Sequence, residues 1–340
     1  MNDPIDIKTK KIFYDKGEAT FNKTLVYEKL QHEIFKSWQY WTKFQQQWCN
    51  NAFGTFKDYD KYLLLIYLFR QVMQSYADKF QFFSLQEFYS TKEFVIDKIN
   101  LIQISEDLKI PKETVRRKIN EFQNTNILRR EGKQIIFKKL ASQHQIPLQS
   151  LELLSIFIQK QITILQDNNL FENTTKEQIK SYFEKYYTVF WLRFFKLQIP
   201  FLIKWREVFQ DLETWNVWGI IALNHLNVLN RSHEQNIYKQ DSQIDVGNFY
   251  TKITKAEVSH GVNASSISDI SKIPRATVIR KLRWLQNKEL IKKNESLEYM
   301  MKPKGRKNIE INEVFLKNRE NVCIFVTDIL DLIKSSNFKI

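Results

Sequence analysis

The side chains best suited to act on another molecule are two sets of cations at matching spacing. Lys112, Arg116 and Arg117 follow Pro111, and Arg275 and Arg280 follow Pro274. Proline suits the first turn of a helix, where its missing N–H costs nothing. In the helix that follows, Val115, Ile119 and Phe122, or Val278, Leu282 and Leu285, fall at i, i+4, i+7 and mark a buried stripe. The opposite face then carries Glu113, Thr114 and Arg117 in the first set, and Ala276, Thr277 and Arg280 in the second. Cations gathered on one helix face suit phosphate oxygens and the acceptor edges of bases.

Other chemistries lack their residues. There is no glycine-rich phosphate loop, zinc-ligand spacing or nucleophile elbow. The five histidines (His32, His144, His225, His233, His260) are scattered, and His225 and His233 have no acidic partner between them. No carboxylates form an isolated pair in an apolar context, so no enzyme site and no cofactor are expected.

The elements that position the cations are read from an internal repeat. Residues 104–130 (ISEDLKIPKETVRRKINEFQNTNILRR) align without a gap on residues 267–293 (ISDISKIPRATVIRKLRWLQNKELIKK), 11 of 27 positions being identical. Two copies of one module are therefore expected. In each, Asn100 or Asn263 is a fitting N-cap for a first helix. A break at Lys109-Ile110-Pro111 or Lys272-Ile273-Pro274 leads into the second helix. A hairpin should follow, around Glu131-Gly132-Lys133 in the first copy and Asn294-Glu295-Ser296 in the second. The second hairpin continues into Pro303-Lys304-Gly305-Arg306-Lys307, either a minor-groove strap similar to an AT-hook core or a flexible basic loop.

Two short helices around a tight turn, followed by a hairpin, resemble the winged helix-turn-helix of bacterial transcription regulators. The segment IPRATVIRKL is most similar to the IclR family, and the layout of flanking helices resembles the MarR family. The chain departs from that pattern at the turn glycine, replaced by Lys109 and Lys272, where a left-handed lysine is strained. The resemblance implies that Lys112, Glu113, Thr114, Arg116, Arg117, Arg275, Ala276, Thr277 and Arg280 line the DNA-reading helices. Arg129, Arg130, Lys133, Lys304, Arg306 and Lys307 would hold the backbone or minor groove from the wings. In MarR proteins the flanking helices form the dimer core, often with an effector pocket; here each half would be one protomer, fused into a single-chain pseudo-dimer.

Charge placement agrees. Of the net +14, residues 100–140 hold +5 and residues 263–307 hold +8. Charge focused on two modules is the footprint of duplex binding rather than of solubility. Cys49 and Cys323 are too few for a disulfide framework and fit a reducing compartment. The first residues lack a signal-peptide core, and the longest apolar run, 62–69, is too short to span a bilayer. A cytoplasmic, nucleoid-associated protein is expected.

Around the modules, an aromatic helical pattern covers 24–49 (Tyr27, Leu30, Ile34, Trp38, Trp41, Phe44, Trp48) and should break at Gly54. A second helix covers 58–76, and counterparts lie at 186–209 and 215–229. Further helices at 148–165 and 312–333 follow the hairpins. The tryptophans at helical spacing read as core; Trp284 should pack on the wing or a neighbouring helix, with DNA contact the lesser alternative. The expected architecture is mainly α, with a first unit at 20–166, a polar linker at 167–180, a second unit at 181–340, and a loop over 231–246.

The function expected from these readings is sequence-specific regulation of transcription on double-stranded DNA, through two non-identical half-sites. A small-molecule effector is compatible, and no further oligomer is required. Two rivals are a replication initiator or architectural protein with two winged helices, and a winged-helix module that binds protein.

Overall fold

The computed structural model describes residues 22–97, 100–138, 148–166, 170–234, 253–255, 258, 260–302 and 307–335. It is mainly helical, with two small antiparallel sheets. The first half runs α1 (Lys23–His32), α2 (Ile34–Phe56), α3 (Tyr59–Ala77), α4 (Leu85–Ser90), β1 (Glu93–Ile96), α5 (Leu101–Leu108), α6 (Lys112–Asn124), β2 (Leu128–Glu131), β3 (Gln134–Lys138) and α7 (Leu148–Gln166). The second runs α8 (Lys176–Lys185), α9 (Tyr187–Phe209), α10 (Leu212–Glu234), α11 (Ala264–Ser271), α12 (Arg275–Asn287), β4 (Ile291–Lys293), β5 (Tyr299–Met301) and α13 (Lys307–Ser335).

Local sequence accounts for most boundaries. Asn22, Asp58, Asn100, Thr175 and Asn263 each accept a first-turn backbone N–H through the side chain, satisfying donors that a helix start leaves unpaired. The pattern over 24–49 is not one helix. It divides at Glu33 (φ −86°, ψ 34°) into α1 and α2. Gly54 does not end α2 either. A helical glycine costs about 1 kcal/mol against alanine, which burial of the adjacent Ala52 and Phe53 outweighs. The helix stops at Lys57, whose φ of 55° is left-handed. The polar stretch 167–180 is irregular only in part, since Thr175 starts α8 with a capping box. Of the loop expected over 231–246, residues up to Glu234 continue α10 and the rest lies outside the described residues.

Element positions repeat. α1 and α8, and α2 and α9, begin and end 153 positions apart, and α3 and α10 begin at that offset. α5 and α11, and α6 and α12, begin and end 163 positions apart. The first sheet has the order β1-β3-β2, with Phe137 opposite both Phe94 and Leu128. In the second, β4 pairs β5, and a single bridge from Val262 to Tyr299 stands where β1 stands in the first.

The two halves share one aromatic core through reciprocal contacts. α2 packs on α10 while its counterpart α9 packs on α3; α1 packs on α13 while α8 packs on α7. Trp41 meets Phe201 with ring centroids 5.3 Å apart, and Trp48 meets Phe194 at 4.8 Å. Those are twin pairs, since Phe194 is the counterpart of Trp41 and Phe201 that of Trp48 at the 153-residue offset. Between them the buried amides of Gln45 and Gln198, themselves counterparts, exchange hydrogen bonds of 2.7 and 2.9 Å. A residue bonded to its own counterpart is the signature of an isologous, two-fold-like contact. Trp38, Trp41, Trp48, Trp191, Trp205 and Trp215 are all buried.

Candidate nucleic-acid interface

Each half carries the same local construction. α5 ends at Lys109 (φ 55°) and α11 at Lys272 (φ 62°), so both turns are left-handed on a lysine. For an L side chain this conformation costs roughly 1–2 kcal/mol. A serine secures each turn: Ser105 Oγ donates to the Ile110 carbonyl at 2.6 Å, and Ser268 Oγ to that of Ile273 at 2.7 Å. Pro111 and Pro274 then open α6 and α12 with nearly identical backbone angles. Val115, Ile119 and Phe122, and Val278, Leu282 and Leu285, are buried as their spacing requires.

A partly buried ion pair fixes the other side of each helix. Lys118 of α6 bonds Asp58, which caps α3, and Lys281 of α12 bonds Asp211, which accepts from the Thr214 N–H at 2.7 Å in α10. Burial opposes the charged form of both carboxylates. The bonds from Lys118 and Lys281 outweigh it, with backbone N–H groups and, for Asp211, the Thr214 hydroxyl, and hold both below the ordinary range. With the lysine clamped inward, the opposite face of each helix is turned outward.

The outward faces differ. On α6, Lys112, Glu113, Arg116 and Arg117 are exposed and Thr114 is half-buried. Arg116 bonds Glu113 through Nε at 2.9 Å and Nη2 at 2.5 Å. That contact holds the Glu113 carboxyl below its usual range. On α12, Arg275, Ala276 and Arg280 are exposed and Thr277 is half-buried. Arg283, which sequence reasoning passed over, is also exposed there; its counterpart is Asn120, and the basic run RKLR is the signal that could have found it.

The hairpins bring their cations to the surface less freely. Arg129 lies between Glu93 and Glu131, which raise its already high pKa. Arg130 Nε donates to the Gly132 carbonyl at 3.0 Å, and Lys133 is exposed at the tip, where Gly132 has φ 59°. The second tip instead presents Leu297, 62% exposed, beside Glu295. Lys304 and Arg306 lie outside the described residues. Lys307 is the first residue of α13, and its Nζ is held by the Val208 carbonyl at 2.8 Å and by Glu310. Trp284 packs on Phe209 at the end of α9, centroids 6.4 Å apart, so its ring belongs to the neighbouring helix.

Arg206 makes a contact across the halves that has no counterpart. Arg206 of α9 pairs with Asp60 at 3.2 Å and donates to the Lys109 turn carbonyl at 2.6 Å. The residue 153 positions before it is Phe53, so Glu213, the counterpart of Asp60, lacks that guanidinium. Burial, with the neighbouring Asp211 carboxylate, pushes Glu213 up to about 7.

Counterpart positions of the two halves also line two cavities in the shared core. One, of about 170 Å³, is bounded by Ala52, Tyr62, Ile66 and Phe69. The other, of about 50 Å³, is bounded by Trp205, Trp215, Gly219 and Ala222 at the same four positions. Trp205 fills the space that Ala52 leaves open. Gln46 fills the space over Gly219, where a Cβ would stand 1.9 Å from Nε2.

Among the described residues, no group of three or more His, Cys, Asp and Glu could hold a metal ion. His225 is buried, with Nε2 2.7 Å from the Ile253 carbonyl, and burial lowers its pKa. Cys49 and Cys323 are buried free thiols. No helix of the described residues is long and apolar enough to cross a membrane. No protein-family model, curated protein or solved structure matches the chain.

Proposed function

We propose that the chain is a sequence-specific regulator that binds double-stranded DNA. In this reading α5–α6–β2–β3 and α11–α12–β4–β5 are two winged helix-turn-helix modules, and the reciprocal core joins them as a single-chain pseudo-dimer. The observation that carries the proposal is the twice-built outward helix: the same caps, left-handed turn, serine clamp and partly buried lysine–aspartate pair hold α6 and α12 with their basic faces out. Helices presented in this way enter the major groove, with arginine the commonest specific contact to guanine.

Arg117 and Arg280, exposed at equivalent positions, are the first residues assigned to base or phosphate contact. Because Glu113 faces Ala276 and Arg116 faces Ile279 in the alignment, the half-sites differ in sequence. The 170 Å³ cavity beside α3, lined by both apolar and polar side chains, has the volume for a small effector, since a cavity of about 150 Å³ can hold benzene. The protein would act in the cytoplasm, on the nucleoid. Arg117→Ala and Arg280→Ala test the reading in a gel-shift assay on a selected duplex. Each should weaken binding at a different half-site; unchanged affinity in both would overturn the helix assignment.

A further inference from the structure

We propose that the two units grip DNA unequally, with α12 as the anchor that supplies most of the phosphate-derived affinity and α6 as the weaker reader. The inference rests on the DNA-binding reading and concerns how that one interface divides its work. Three positions carry a cation in both helices: Lys112 with Arg275, Arg117 with Arg280, and Lys118 with Lys281. Around these shared cations one divergence, Arg116 against Ile279, favours α6, and three favour α12. Glu113 of α6 is Ala276 in α12, Asn120 is Arg283, and Glu121 is Trp284.

As a result α6 carries four cations and two acids, for a net +2, whereas α12 carries four cations and no acid, for a net +4. With ion pairs counted as neutral, and Glu121 held by Lys61, α6 keeps +2 and α12 keeps +3. In the first unit Arg116 is bonded to Glu113, Lys118 to Asp58, and Arg129 to Glu93 and Glu131. Lys112 and Arg117 remain on α6 without an ion pair among the described residues. On α12 only Lys281 is so engaged, and Arg275, Arg280 and Arg283 all stand exposed without one. Lys292 and Lys293 of the adjoining strand are exposed as well.

An arriving phosphate can displace Glu113 from Arg116, but the freed carboxylate stays on the same face and repels it. Each phosphate neutralised by a cation releases condensed counterions. Binding affinity and its salt dependence should therefore both follow the unpaired charge of each helix.

Polarised fluorescence of a labelled random-sequence duplex of about thirty base pairs, titrated with the full chain at several salt concentrations, tests this. The twin variants Lys112→Gln/Arg117→Gln and Arg275→Gln/Arg280→Gln remove the same number of charges at equivalent positions. The second pair should lower affinity at least about tenfold and reduce the slope of log K against log salt by about 1.8; the first should cost less than about threefold, because the Glu113 carboxylate, close enough to feel both Arg116 and Arg117, already offsets phosphate attraction on that face. The gain variant Glu113→Ala/Asn120→Arg, which gives α6 the residues of α12 at those two positions, should raise affinity about tenfold at low salt. Equal losses from the twin variants, or no gain from the third, would overturn the inequality while leaving DNA binding intact. If the unaltered chain binds no duplex at any salt, the DNA-binding reading itself falls.

Discussion

Glu213 offers the most quantitative test of the two-fold-like construction. Its counterpart Asp60 faces Arg206, while Glu213 is half-buried beside Asp211 with Phe53 at the position equivalent to that arginine. The carboxyl rises from 4.5 to about 7. An acid whose folded pKa exceeds its unfolded value binds its proton more tightly when folded. Its contribution is complete below pH 4.5 and is lost as pH rises toward and through 7. At about 1.4 kcal/mol per unit the full shift corresponds to about 3 kcal/mol, and partial exposure reduces this to on the order of 1–3 kcal/mol. Glu213→Gln keeps the shape and the ability to hydrogen-bond Asp211 but cannot ionise. Urea unfolding at pH 5 and pH 8 should therefore show the variant gaining stability over the parent mainly at pH 8. An equal difference at both pH values, or a variant less stable at pH 8, would refute the burial of an unpaired carboxyl at that position.

Two further outcomes follow from the same geometry. Gln45→Leu or Gln198→Leu alone strands a buried amide and should cost about 1–3 kcal/mol, whereas the double variant should be close to neutral; a double-mutant cycle by urea unfolding checks this, and additive losses would contradict the reciprocal bond. Lys109→Gly and Lys272→Gly relieve a left-handed side chain and should each raise stability by about 0.5–1 kcal/mol in thermal unfolding, a loss at either site contradicting the turn geometry.

How much of this was legible in the sequence depended on whether the cause was local. Asn100, Asn263, Pro111 and Pro274 act on their own few residues, and the elements they cap begin where the spacing placed them. The apolar stripes of α6 and α12 are buried for the same reason. Gly54 misled because a propensity of about 1 kcal/mol yields to tertiary burial, and the division at Glu33 has no local signal in an otherwise continuous aromatic pattern. That the repeat holds at two offsets, 153 and 163 positions, emerges only once helix ends are seen. Arg206 and Lys307 were beyond sequence reasoning altogether, since their partners Asp60, the Lys109 carbonyl and the Val208 carbonyl lie roughly a hundred or more positions away. Arg129 read as a free wing cation because Glu93 is brought to it only by the pairing of β1 with β3.

The measurement that bears most directly on the central claim is selection of bound duplexes from a random DNA pool by the purified chain at two salt concentrations. The account predicts a bipartite, asymmetric site with half-sites about one helical turn apart, recovered more weakly as salt rises. Absence of bound DNA at both salt concentrations would contradict it.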